Sequence, residues 1–88
     1  MSHEEGIAYR EAKDYEKSIA AFNDELKVRR LNGYVYYEMA KTYVAWGKNK
    51  EAKEYYRKLL EVWKYGDDDM PQIVEAKEWL RNNNTISE

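Results

Sequence analysis

Apolar residues recur along this chain at intervals of three and four. Between Tyr34 and Trp63, Tyr36, Met39, Ala40 and Tyr43 fall at i, i+3, i+4 and i+7, which is one face of a helix. Gly47-Lys48 interrupts the pattern, and Ala52, Tyr55, Tyr56, Leu59, Leu60 and Trp63 restart it on a second helical face. Two amphipathic helices joined by so short a turn fold back antiparallel, because only then do both apolar faces leave water. The third helix is expected from about Tyr34 to Trp46 and the fourth from about Asn49 to Tyr65. Upstream, a first helix is expected from residue 3 to about 12 and a second from about Tyr15 to Arg29. Lys13-Asp14 makes the turn between them, and Tyr15, Ile19, Phe22 and Leu26 form the second helix's buried stripe. In the link Arg30-Leu31-Asn32-Gly33, the last two residues tolerate the left-handed backbone that ends a helix. Gly66 stops the fourth helix and Asp67-Asp68-Asp69 is a charged loop. Asp69, Pro71 and Gln72 then give the cap, first-turn proline and capping-box signals of a fifth helix, about Pro71 to Asn82. Ile73, Ala76, Trp79 and Leu80 face inward on it; Gln72, Glu75, Lys77, Glu78 and Arg81 face water.

The hairpin pattern occurs twice at a fixed interval. Tyr43 lies 34 residues after Tyr9, and the same interval takes Gly6 to Ala40, Ser18 to Ala52, Phe22 to Tyr56 and Leu26 to Leu60. Small residues meet small ones and aromatics meet aromatics. A helix-turn-helix unit with this period resembles the tetratricopeptide repeat, over residues 3 to 65. Asp14 to Phe22 looks like the family's second-helix motif, and Trp46 to Ala52 like its turn and following helix start. Two departures are visible: Glu25 stands where the family has a small residue, and the link lacks a proline. Leu60 to Pro71, followed by Glu75-Ala76-Lys77 and Leu80, resembles the last repeat of long bacterial tetratricopeptide arrays. The resemblance implies an all-α fold, with antiparallel hairpins stacked as a short right-handed solenoid. It divides the chain into one domain, 1–82, with repeats at about 3–30 and 33–65, a capping helix at about 71–82 and a polar tail, 83–88. The tail is expected to be disordered. The front of the first helix lacks apolar side chains, since Tyr36 maps back to Ser2 and Met39 to Glu5. Either the natural start is frayed or the chain begins inside a longer array. Met1-Ser2-His3 reads equally as an expression scar or a native start.

Composition narrows the function. At 88 residues the chain is one domain at most, burying roughly 60–65% of its surface. It has no cysteine, hence no disulfide or thiolate chemistry. It has no long apolar run or signal peptide, so a cytoplasmic protein without a membrane partner is expected. Fifteen basic residues against 17 acidic ones, a net charge of −2, argue against nucleic acid or anionic lipid as partner. The lysines between 48 and 58 interleave with glutamates and read as a solvated face, with i, i+4 pairs such as Glu25/Arg29 and Glu54/Lys58.

Catalytic chemistry is not legible. His3 is the only histidine, and no serine or other nucleophile has a base beside it. The aspartate triplet lacks the spaced ligands of a calcium loop, and there is no phosphate-binding glycine loop. The chain reads as a non-enzyme with no cofactor and no metal. Binding remains. The resemblance implies that successive first helices line a groove for a peptide or partner helix, here formed by Ile7, Arg10 and Glu11, then Tyr34, Tyr37, Glu38, Lys41, Val44 and Ala45. Tyr34 and Tyr37 stand out, because Tyr36 and Tyr43 already fill the hairpin core. The carboxylate clamp of chaperone-binding relatives would fall at His3, Ile7 and Glu38, where a glutamate repels a carboxylate ligand. The leading expectation is therefore a protein-interaction module. The alternatives are a self-associating scaffold, with a second copy covering an exposed Phe22 and Tyr9 in a homodimer, or the closing end of a larger signalling protein.

Overall fold

The computed structural model describes residues 3–28, 32–64 and 70–83. Those residues form five helices: α1 (His3–Glu11), α2 (Tyr15–Val28), α3 (Gly33–Ala45), α4 (Asn49–Val62) and α5 (Pro71–Asn83). There is no strand among the described residues, and the class is all-α. The expected end of the second helix at Arg29, the first half of the link (Arg30-Leu31), the Gly66 stop, the Asp67–Asp69 loop, the Asp69 cap and the tail beyond Asn83 lie outside the described residues. The fourth helix ends at Val62, short of the expected Tyr65, with Trp63 at its C-cap.

The interval of 34 sets the helix ends as well as the side chains. Adding it to the bounds of α2 gives those of α4, and adding it to the last residue of α1 gives that of α3. The turns repeat too. Lys13 and Gly47 both take left-handed backbone, with φ of 64° and 80°. Asp14 N–H donates to the Tyr9 carbonyl and Lys48 N–H to the Tyr43 carbonyl, at 2.9 and 2.8 Å. These bonds satisfy the last carbonyls of each first helix and reverse the chain.

α1 packs on α2, α3 on α4, α2 on α3, and α4 on α5; α1 also touches α3. One core cluster, Ile19, Phe22, Val35 and Met39, joins the two hairpins. The other, Ala40, Tyr56, Leu59, Ile73 and Ala76, joins the second hairpin to α5. Side chains at the interval share burial: Ser18 and Ala52 are fully buried, as are Phe22 and, within 2%, Tyr56. The correspondence runs on into α5, where Ile73 and Ala76 take the buried places that Met39 and Thr42 have on α3.

Three expectations change. Phe22 is fully buried, not exposed for a second copy. Gly6 makes this possible, since a Cβ there would lie 2.5 Å from the Phe22 ring; the missing side chain lets the ring close against α1. Asn32-Gly33 does not end α2 with left-handed backbone. Asn32 is extended (φ −92°, ψ 107°) and caps α3, its side-chain oxygen accepting from Tyr34 N–H at 3.0 Å and Val35 N–H at 3.4 Å. Gly33 is the first residue of α3 and lies under the Trp63 ring, which a Cβ would meet at 2.3 Å. The lysine run is not wholly solvated either: Lys53, the counterpart of Ile19, is buried at 6% exposure. Glu54 and Lys58 do pair, at 3.9 Å on the surface.

Between α2 and α4, aromatic rings follow one another across α3. Tyr15 stacks near Trp46, Trp46 on Tyr43, and Tyr43 on Tyr55, with centroids 5.5–6.0 Å apart; Tyr36 completes the run against Tyr55. Such offset rings bury large apolar area. This side of the molecule is cemented by its own side chains. The opposite face holds the polar ties between helices.

Candidate functional site

That face is formed by the first helix of each hairpin and by α5. Its centre is a salt bridge between α1 and α3. The Arg10 guanidinium donates to Glu38 Oε1 at 2.8 Å and to the Glu38 carbonyl at 3.2 Å, with both side chains only 15–16% exposed. Thr42 Oγ1 donates back to the Glu38 carbonyl at 2.9 Å and sits 3.5 Å from Arg10. Behind it, Ser18 Oγ donates to the Gly6 carbonyl at 2.7 Å, with Thr42 Oγ1 at 3.4 Å. A polar line thus runs from the surface to the junction of α1, α2 and α3. A charge pair so little exposed is held by hydrogen bonds on both sides, which fixes the two helices relative to each other.

α3 and α5 are tied in the same manner. Tyr37 Oη donates to the Glu75 carboxylate at 2.7 Å, and the Lys41 ammonium lies 5.2 Å from the centre of the same ring. Burial first, then the Glu75 carboxylate, holds the Tyr37 hydroxyl well above the usual tyrosine pKa. Tyr56 beneath is shifted the same way by burial and then by Glu75. Glu75 was expected to face water only; it is instead the acceptor that fixes Tyr37. The signal for it was the interval, which takes Lys41 to Glu75 and so puts both on equivalent helical positions.

The nine residues implied for the groove separate into groups. Arg10, Glu38, Tyr37 and Lys41 come together around the two inter-helix contacts. Glu11 and Ala45, one interval apart, are exposed at the same end of α1 and α3. Ile7 and Val44 are half-buried and pack against the two core clusters, so they support the face from beneath. Tyr34, 47% exposed, sets its ring edge-on to Trp63 at 4.9 Å and is drawn to the α3–α4 end of the hairpin. The repulsion argued for Glu38 also changes, since Arg10 compensates its charge.

Residues 33–62, α3 and α4 together, match the family model described as tetratricopeptide repeat. This second hairpin, about a third of the chain, is thus similar to a tetratricopeptide repeat. No curated protein and no solved structure matches the chain. Tetratricopeptide repeats are in general non-enzymatic modules that bind other proteins. No helix among the described residues is long and apolar enough to cross a membrane.

Proposed function

We propose that this chain is an interaction module that takes a peptide segment of a partner protein along the α1–α3–α5 face. The observation that carries the reading is the setting of Tyr37. Its ring lies on the face with a lysine above it and its hydroxyl anchored to α5, so a large amphipathic surface is held rigid before any partner arrives. Pre-organised tyrosine costs little ordering on binding. The Arg10–Glu38 bridge does the same for the spacing of α1 and α3. α5 closes the stack in this reading. Its inward residues Ile73 and Ala76 share one buried cluster with Tyr56 and Leu59.

The test is substitution of Tyr37 and Lys41 by alanine, singly and together, in a binding assay with a captured partner. Binding should fall about tenfold or more for the double variant while the circular dichroism spectrum stays that of the parent. Equal binding by parent and double variant would remove this face from consideration.

A further inference from the structure

The charges on this face are not balanced, and the imbalance names a class of ligand. Arg10 is committed to Glu38. That leaves Lys41 as the cation of α3 on the face, against a set of exposed carboxylates. Glu4 and Glu11 lie seven residues apart on one stripe of α1, and the interval relates them to Glu38 and Ala45 of α3. Glu75 and Glu78 lie three apart on α5, at the positions the interval relates to Lys41 and Val44. Glu75 proves the placement by reaching Tyr37 across the gap between helices. The described ion pairs of the protein use none of these four. Acidic walls on α1 and α5 therefore flank a central strip of Tyr37, Lys41 and the neutralised Arg10–Glu38 pair.

We propose that the groove selects a cationic partner: an extended peptide segment whose lysine or arginine side chains reach the carboxylates of α1 and α5 while its backbone crosses Tyr37. This deepens the interaction-module reading and rests on it. Carboxylates on both sides reject an acidic peptide by like-charge repulsion and favour encounter with a basic one. A tyrosine ring and a single lysine between them suit the peptide's apolar and carbonyl groups. The selectivity then belongs to this face, not to the protein's small net charge of −2, which is spread over all helices.

Two fluorescent nine-residue peptides test this, one with three lysines on an alanine–proline background and one with glutamates in the same places. They are titrated by anisotropy into the parent and into two variants. The first carries Glu4→Gln, Glu11→Gln and Glu78→Gln; the second carries Glu16→Gln and Asp24→Asn on exposed α2. The lysine peptide should bind the parent at least tenfold better than the glutamate peptide, and weaken about fivefold or more with the first variant only. Raising salt from 50 to 300 mM should shrink the difference. Equal binding of the two peptides, or equal loss in both variants, overturns the charge assignment, as does no binding by either. Amide shifts separate the two claims. A glutamate peptide that binds and perturbs Tyr37 and Lys41 leaves the groove standing and removes its charge preference. A lysine peptide that perturbs α2 or α4 alone removes the groove as well.

Discussion

Replacing Gly6 by alanine sets two effects against each other. In an isolated helix the change favours folding by about 1 kcal/mol. Here the new methyl would sit 2.5 Å from the Phe22 ring, which is fully buried and has no exposed side to move toward. Overpacking of that kind costs about 1–3 kcal/mol, so the packing effect wins. Gly6→Ala should lower stability by up to about 2 kcal/mol in urea denaturation, although a propensity scale gives the opposite sign. A variant as stable as the parent would show that the α1–α2 contact is looser than described. The same contact explains a sequence-level error. Gly6 was legible as the small partner of Ala40, but that its smallness seals Phe22 from solvent was not, because burial depends on how closely two backbones approach. Tyr34 was misjudged for a related reason: its spacing on α3 was correct, while its ring partner, Trp63, lies 29 residues further along.

At the scale of the element, the two hairpin turns give a matched comparison. Both require left-handed backbone, which Gly47 adopts freely and Lys13 adopts against the steric preference of an L residue. No atom approaches the position of a Cβ at Gly47, so any effect there comes from the backbone alone. Lys13→Gly should stabilise the first hairpin by about 0.5–1 kcal/mol, and Gly47→Ala should destabilise the second by about 1 kcal/mol, both read from thermal or urea midpoints. Opposite signs at equivalent positions are the signature of a shared turn geometry. The turns were legible because polar residues, Lys13-Asp14 in one and Gly47-Lys48 in the other, interrupt the apolar period. The start of α3 was read for the wrong end: Asn32 suits both a left-handed stop and an N-cap, and only its extended backbone decides. The inter-helix ties, Arg10 to Glu38 and Tyr37 to Glu75, were not legible as pairs. Each joins residues 28 or 38 apart, and the sequence holds many charges at comparable separations.

For the whole molecule, buried tyrosines tie stability to alkaline pH. The hydroxyls of Tyr37, Tyr43, Tyr55 and Tyr56 are all held above the ordinary value of 10.0, burial being the largest cause for each. A folded state that keeps these protons while the unfolded chain releases them is favoured fully below pH 10 and loses that advantage as pH rises above it. Unfolding at rising pH should therefore begin above pH 10, with ionisation of these four tyrosines accompanying loss of helix rather than preceding it. Ionisation of these four in a still helical protein would contradict the packing. The repeat architecture was legible because one interval fixes core residues, turns and helix ends at once. The face it creates was legible only in outline, since the third wall comes from α5, whose residues were read as facing water. The most direct measurement of the central claim is site-specific photo-crosslinking to a bound partner. A benzophenone side chain at Ala45, exposed on α3 at the proposed groove, should give a defined adduct, whereas one at Asn23, exposed on α2, should give none. Adducts from Asn23 and not from Ala45 would place recognition on the other side of the molecule and contradict the account.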